Sequence, residues 1–171
     1  KDNAMDLVFK VIPPPSLEEN TEAALRAIEE ARKLGITSVQ DMTQPDEFEA
    51  YQSIMKEAEL TCRIYSIWPI NKYETIVRAG VTVGNEQGFI KRGALKGYAD
   101  GSLGASTAWF FEPYVQDPST FGLPMDVVTN GNLEKWAFDV DRNRLQLCVH
   151  AIGDRANAFM LDLYQRIKEG N

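Results

Sequence analysis

The sequence predicts an α/β protein built from about four parallel strand–helix units. Short apolar runs alternate along the chain with longer segments whose apolar residues recur at helical spacing. This alternation is typical of parallel strands joined by helical crossovers. Four such units amount to half of an eight-unit barrel or to a small open doubly wound sheet, and the alternation alone leaves both architectures open.

The predicted elements follow one another from residue 16 onwards. A capping-box pattern, Ser16-x-x-Glu19, begins the first helix, and Gly35 ends it. The later elements are a strand over 36–41, a helix over 48–55, a strand over 62–68, a short helix over 73–79, a strand over 95–100, a helix over 133–140, a strand over 145–150 and a helix over 156–167. Residues 101 to about 130 are predicted to form a long loop, of the kind that serves as a lid or binding loop.

Length, charge and cysteine content limit the possible functions. With 171 residues the chain is expected to form a single domain, residues 1–171, whose core needs no disulfides. Its net charge of −7 argues against a nucleic-acid partner. No apolar run approaches a membrane span and no signal peptide opens the chain, so we expect no membrane partner and a cytoplasmic location. Cys62 and Cys148 lie in apolar runs and are expected to be reduced core residues.

His150 is the only histidine of the chain and ends the apolar run 145–150. A glycine–aspartate turn and a helix follow, so its side chain is predicted at the carboxyl end of a parallel strand, where α/β enzymes carry their chemistry. Neutral imidazole is the commonest metal ligand. The structural alternative is a hydrogen-bonded histidine that caps the core. Because one histidine completes no metal or acid–base site, the chain is predicted to hold only part of a site.

Lys96 lies on a predicted strand that otherwise consists of small and apolar residues. Burial favours the neutral amine of a lysine, and a neutral amine reacts with carbon dioxide to form a carbamate. A carbamate is an anionic oxygen ligand that can bridge two divalent metal ions. The alternative is a lysine whose ammonium group reaches solvent from the strand end.

Three aspartates near predicted strand ends complete the candidates. Asp100 and Gly101 form a tight turn whose glycine lets the backbone come close to another group. Asp154 most simply caps the last helix by accepting backbone N–H bonds of its first turn, with a role towards substrate as the alternative. Asp41 is expected to be structural.

Four segments of the chain resemble the metal-dependent amidohydrolase superfamily. They are residues 35–42 (GITSVQDM), 96–105 (KGYADGSLGA), 112–114 with Gly122, and 149–156 (VHAIGDRA). The likeness extends over nearly the whole chain, and the nearest branch is the one that includes N-substituted formamide deformylase and the exoenzyme regulatory protein AepA. The resemblance implies a partial (β/α)₈ TIM barrel, of which this chain would be the central part, cut on both sides.

The resemblance also implies a metal site. In that superfamily, a His-x-His pair, a bridging carboxylated lysine, two later histidines and a late aspartate surround one or two divalent metal ions, of which zinc is the expected one. By resemblance, Lys96 would be the bridging lysine and His150 the first of the two later histidines. Asp100, Gly101 and Ser102 would lie beside the substrate. The other ligands have no counterpart in this chain, so it would hold no complete catalytic set.

The activity implied by the resemblance is hydrolysis of a carbon–nitrogen bond in a small-molecule non-peptide amide, formamide or cyclic amide. This activity would belong to the full-length protein, and the fragment alone would be inactive and bind metal weakly. A partial barrel exposes strand edges that pair with other chains, so self-association is expected. The alternatives are a non-catalytic regulatory or binding protein on the same barrel and an unrelated α/β domain.

Overall fold

The computed structural model of the chain describes residues 7–57, 59–78 and 86–170, and the side chains of 86 and 87 lie outside that description. The chain divides into two compact units. The first comprises Lys1–Ser66 and Glu86–Lys91, and the second comprises Ile67–Asn85 and Arg92–Asn171. The expectation that residues 1–171 behave as one domain stays a prediction.

The first unit consists of two helices and the strand segments next to them. Helix α1 spans Leu17–Lys33, strand β1 spans Ser38–Met42 and helix α2 spans Pro45–Lys56. Helices α1 and α2 contact each other. The buried apolar residues of this unit are Ile28, Phe48, Ala50, Ile54, Leu60, Cys62, Ile64 and Ile90.

Strand β2 spans Arg63–Pro69, β3 spans Glu86–Gln87 and β4 spans Ile90–Tyr98. The hydrogen-bonded strand order is β1-β2-β4-β3. The short β3 pairs antiparallel with the beginning of β4, with Gln87 opposite Ile90. This hairpin was not predicted, because a two-residue strand has no apolar alternation to reveal it.

The second unit contains most of β4 and the elements that carry the candidate site. A 3₁₀ turn over Ile70–Lys72 leads into helix α3, Tyr73–Arg78, and three further helices follow β4: α4, Asp126–Thr129; α5, Asn132–Arg142; and α6, Asp154–Gly170. Strand β5, Gln146–His150, pairs with β4 in parallel. The buried apolar residues include Leu95, Leu133, Ala137, Val140, Met160, Leu163 and Ile167. The α/β class predicted from the sequence is confirmed, with strands and helices alternating as expected.

Burial shifts the pKa of several ionisable side chains, among them Cys62 and Tyr73. Cys62 and Cys148 are both free thiols, but only Cys62 is a core residue as predicted, since Cys148 is half-buried. Desolvation raises the pKa of the Cys62 thiol. Burial, together with a hydrogen bond from the Tyr73 hydroxyl to Asp139, raises the pKa of Tyr73 to about 12. Among the described residues, no helix is both long and apolar enough to cross a membrane.

The capping box predicted from the sequence is present at the start of α1, and its contribution to stability can be tested. The Ser16 hydroxyl accepts the N–H of Glu19, and the Glu19 carboxylate accepts the N–H of Ser16 at 2.7 Å. We expect Ser16→Ala to lower the free energy of unfolding by about 1 kcal/mol, because one N–H at the helix start loses its acceptor. Urea titration followed by circular dichroism measures this change. The control is Thr21→Ala. The Thr21 hydroxyl donates to the Leu17 carbonyl within the helix, so its removal should leave the free energy of unfolding nearly unchanged. Equal losses in both variants would contradict a capping role.

Candidate functional site at the carboxyl end of strand β5

Three side chains share one face of the paired strands β4 and β5. The parallel register places Tyr98 opposite His150, and Lys96 lies two residues before Tyr98 on the same face. The rings of Tyr98 and His150 have centroids 5.5 Å apart, and the Lys96 ammonium lies 4.9 Å from the centroid of the Tyr98 ring. The two residues that the sequence singled out as possible metal ligands are therefore linked through one aromatic ring.

The His150 ring is held by a backbone carbonyl. Its Nε2 atom lies 2.7 Å from the Gly101 oxygen. A carbonyl oxygen only accepts hydrogen bonds, so Nε2 carries the proton and the lone pair of a neutral ring lies on Nδ1. Metal-binding histidines are usually fixed in this way, with the second ring nitrogen donating to a carbonyl or carboxylate. The side chain is 26% exposed, which leaves it accessible from the strand end.

Asp100 is the most enclosed charged group of this region, with 1% of its surface exposed. Its Oδ2 atom accepts the backbone N–H groups of Trp109 and Gly153, each at 2.8 Å, and its Oδ1 atom accepts that of Ile152 at 3.0 Å. The carboxylate thereby joins the end of β4, the following loop and the turn that precedes α6. Hydrogen bonds from backbone N–H groups to a carboxylate are among the stronger ones in proteins.

The glycines of this region allow backbone segments to touch. A Cβ atom on Gly153 would lie 1.8 Å from the Trp109 oxygen, and one on Gly122 would lie 1.8 Å from the Ala108 oxygen. Both distances are far inside van der Waals contact, so only glycine fits. Gly122 also has a φ of +82°, which favours glycine independently.

The beginning of α6 holds the aromatic part of the loop. Asp154 Oδ1 accepts the N–H of Phe111 at 2.9 Å, so its carboxylate anchors the loop across the helix start. The Arg155 guanidinium lies 4.7 Å from the centroid of the Trp109 ring, and the Phe159 ring lies near the same indole. The predicted loop ends at residue 125 rather than near 130, because α4 begins at Asp126. Contacts with α6, the isolated bridge between Asp100 and Pro124, and backbone hydrogen bonds within the loop order it.

The structure brings together Lys96, Asp100, Gly101 and His150 within the second unit. The Asp41 carboxylate accepts the hydroxyls of Thr43 and Tyr51, which is a structural role within the first unit.

Lys96 is half-buried, with its ammonium group on the Tyr98 ring. The roles of Lys96 and His150 as metal ligands, and those of Asp100, Gly101 and Ser102 beside a substrate, stay predictions. In the described structure the Asp100 side chain is already engaged by backbone N–H groups.

Metal-binding groups are sparse in this region. Across residues 7–57, 59–78 and 86–170, no group of three histidine, cysteine, aspartate or glutamate side chains could hold a metal ion. The His150 imidazole, whose Nε2 atom is bound by the Gly101 carbonyl, fits one ligand position of a metal site. A carboxylated Lys96 would fit another. The described residues thus suit part of a metal centre, and the metal site itself stays a prediction.

Two residues that matter for the geometry escaped the sequence analysis. Tyr98 links Lys96 to His150, and its position two residues after Lys96 on a strand was the available signal. The Asn157 side-chain amide donates to the carbonyl oxygens of Ala151 and Gly153 at 3.2 and 2.8 Å, which stabilises the turn between β5 and α6. An asparagine in the first turn of a helix gives no distinct sequence signal for such a role.

Comparison with known proteins identifies the family. A model described as "Amidohydrolase family" matches residues 1–171. The chain is 29% identical over 182 residues to "Protein LONG AFTER FAR-RED 3" of Arabidopsis thaliana, a match that covers 99% of this chain and 31% of the relative. It is 30% identical over 177 residues to "Putative amidohydrolase YtcJ" of Bacillus subtilis strain 168, covering 96% of this chain and 31% of that protein. The chain belongs to the amidohydrolase family, and it spans about a third of the length of these relatives.

Two solved structures share the fold. One is an uncharacterized metal-dependent hydrolase from Pyrococcus horikoshii OT3, with a TM-score of 0.80 and 26% identity over 89% of this chain and 31% of that one. The other is an uncharacterized metal-dependent hydrolase from Pyrococcus furiosus, with a TM-score of 0.83 and 22% identity over 98% of this chain and 35% of that one. The likeness is consistent with a partial (β/α)₈ barrel, and it confirms the superfamily resemblance found in the sequence.

The tight contact at Gly153 predicts a large effect of a single methyl group. We expect Gly153→Ala to lower the free energy of unfolding by about 2–3 kcal/mol, because the new Cβ would overlap the Trp109 carbonyl and push the loop away. Gly104→Ala is the matched control, since a Cβ there would meet nothing within 4 Å. Denaturant titration of both variants measures the difference, and a loss of the same size at Gly104 would contradict the argument.

Proposed function

We propose that the protein is a metal-dependent hydrolase of carbon–nitrogen bonds in small non-peptide amides, formamides or cyclic amides, and that this chain carries part of its metal site. Membership of the amidohydrolase family and the similarity to a putative amidohydrolase of Bacillus subtilis and to a metal-dependent hydrolase of Pyrococcus horikoshii support the proposal. The observation that carries it is the orientation of His150. Its Nε2 proton is bound by the Gly101 carbonyl at the carboxyl end of β5, which leaves Nδ1 for a metal ion.

In this proposal His150 holds a divalent ion through Nδ1, and zinc is the ion we expect. A divalent ion bound there would lower the pKa of a coordinated water and polarise the carbonyl group of the substrate. Gly101 and Ser102, at the start of the loop, would contact the substrate, and the buried Asp100 next to them would hold this part of the loop in place.

Lys96 would serve as a bridging ligand after carboxylation. Its neutral amine nitrogen would form a bond to the carbon of carbon dioxide and release one proton to solvent, which yields an anionic carbamate. In the described structure the ammonium group lies 4.9 Å from the centroid of the Tyr98 ring, at a cation–π distance. Carboxylation would therefore require the Lys96 side chain to leave the face of that ring.

The described residues supply one imidazole and one lysine towards this centre and no group of three carboxylate, imidazole or thiol ligands. We therefore propose hydrolysis for a chain of the relatives' length that supplies the remaining ligands. The present chain alone is proposed to bind metal weakly and to hydrolyse nothing.

The test compares variants in a protein of the relatives' length that contains this chain. We expect a purified metal-loaded enzyme to hydrolyse members of a panel of N-formyl amines and cyclic amides. His150→Gln and Lys96→Gln should each lower activity by about 100-fold or more, because a lost ligand should cost at least as much as a lost supporting residue. Metal content by mass spectrometry should fall in parallel.

Lys135→Gln, on the exposed side of α5, is the control and should change neither the activity nor the metal content. Hydrolysis by the present chain alone, abolished by His150→Ala, would contradict the proposal that a longer chain must supply the remaining metal ligands.

The second candidate is a non-catalytic regulatory or binding protein on the same barrel. The name of the Arabidopsis relative specifies no enzymatic activity, and the described residues hold too few ligands for a complete centre. A protein of the relatives' length that binds no metal and hydrolyses no member of the panel would support this candidate over the hydrolase.

We also propose a cytoplasmic location. Both cysteines are free, and Cys62 is buried as a thiol, which is typical of proteins in a reducing compartment.

We propose that the chain alone self-associates through the outer surface of its long loop. Large apolar side chains are exposed there, and the most exposed are Leu103, Val115 and Leu123, at 58%, 90% and 60%. Leu103 and Val115 line one surface cavity together with Phe110 and Pro113, and an exposed apolar patch of this kind commonly marks an interface. Light scattering across concentrations should show a mass above that of the monomer. Val115→Glu combined with Leu123→Glu should lower that mass, whereas Leu161→Glu on α6 should not. A monomer at every concentration would contradict self-association.

A further inference from the structure

We propose that Asp100 is the positioning residue of the candidate metal centre. Its buried carboxylate ties the loop and the β5–α6 turn to the end of β4, and it thereby holds His150 as the Nε2–H tautomer that presents Nδ1. Only the destination of Nδ1, a metal ion, rests on the proposed function. The tautomer itself is a property of this chain.

Backbone N–H groups from two distant segments meet at the Asp100 carboxylate. The three N–H donors belong to Trp109, Ile152 and Gly153, which lie in two segments more than 40 residues apart. Both oxygens of Asp100 are used, and the side chain is almost completely enclosed. A buried carboxylate with this many donors fixes the relative position of both segments, since a small displacement would leave N–H groups unpaired.

Asp100 is linked to the His150 ring through its neighbour Gly101. Gly101, the next residue, directs its carbonyl oxygen to Nε2 at 2.7 Å. The Asp100 Oδ1 atom lies 3.6 Å from the same nitrogen, too far for a hydrogen bond but close enough for its charge to favour a proton there. The Ala99 N–H donates to the His150 carbonyl at 2.8 Å, so the backbones of the two strands are also joined at this level. Carbonyl and carboxylate thus favour the same tautomer.

The three N–H donors require an aspartate at position 100. Asparagine has nearly the same shape but replaces one acceptor oxygen by an NH₂ group, which would face an N–H donor. Glutamate keeps the charge but adds a methylene group, which would displace the carboxylate from its three donors at a position that is only 1% exposed. Aspartate alone combines two acceptor oxygens with the required length.

The experiment uses the fact that the chain contains a single histidine. Labelling with ¹⁵N-histidine gives one pair of ring-nitrogen signals, and protonated and unprotonated nitrogens are well separated in the spectrum. At about pH 9, where imidazoles are generally neutral, we expect the wild-type chain to show the Nε2–H tautomer. In Asp100→Asn, the ratio of the Nε2–H to the Nδ1–H form should fall by about tenfold, because the substitution removes the attraction between the carboxylate charge and a proton on Nε2, 3.6 Å away.

Asp154→Asn is the matched control. It also removes a carboxylate that accepts a loop N–H, that of Phe111, but Asp154 shows no contact with the His150 ring among the described contacts. We expect this variant to keep the wild-type tautomer. A shift as large as that of Asp100→Asn would overturn the proposal, because it would show that any loosening of the loop has the same effect. A wild-type spectrum dominated by the Nδ1–H form would overturn it as well.

A measurement on the wild-type chain covers the case in which Asp100→Asn does not fold. Hydrogen exchange should be slow at the N–H groups of Trp109, Ile152 and Gly153, although all three lie outside helices and strands. Exchange as fast as that of exposed loop residues would show that the carboxylate does not hold them. Failure of this proposal is distinguishable from failure of the proposed function. A hydrolase could bind its metal ion through Nε2, which would contradict only the tautomer. Conversely, the Nε2–H tautomer could exist in a protein without hydrolytic activity.

Discussion

The structure of the second unit depends on one buried carboxylate. Asp100 sits where β4 ends, and its two oxygens bind N–H groups of the loop and of the turn before α6. Neither segment has a helix or strand to satisfy these backbone groups at that point. Since an unpaired buried N–H costs about 1–3 kcal/mol, the carboxylate and its three donors are required together, and the positions of Gly101 and His150 follow from them.

This constraint explains why glycines surround the candidate site. The carboxylate draws the Trp109 region against the β5–α6 turn so closely that Gly153 has no room for a Cβ atom. The Trp109 ring then lies beneath Arg155, and Phe111 is anchored by Asp154. A long loop without helices or strands is in this way fixed to the β5–α6 turn by hydrogen bonds and close packing. The metal chemistry proposed for His150 relies on that rigidity.

The sequence predicted the succession of elements well, because helices and buried strands have strong periodic signals. The capping box at Ser16 and the strand that ends at His150 lie where the patterns placed them. The small antiparallel β3 escaped because its pairing partner, rather than its own residues, makes it a strand. The chain's likeness to the amidohydrolase superfamily was also available from sequence, since it depends on contiguous motifs around Asp100 and His150.

What the sequence by itself determined is therefore the α/β class, the family and the identity of His150 and Lys96 as candidate ligands. Only the tertiary structure decided which nitrogen of His150 carries the proton, that Tyr98 lies between the two candidates, and that Asp100 serves the backbone. The physical reason is that periodicity and motifs report local preferences along the chain. Hydrogen bonds between residues 100 and 153, in contrast, arise only when the chain brings distant segments into contact.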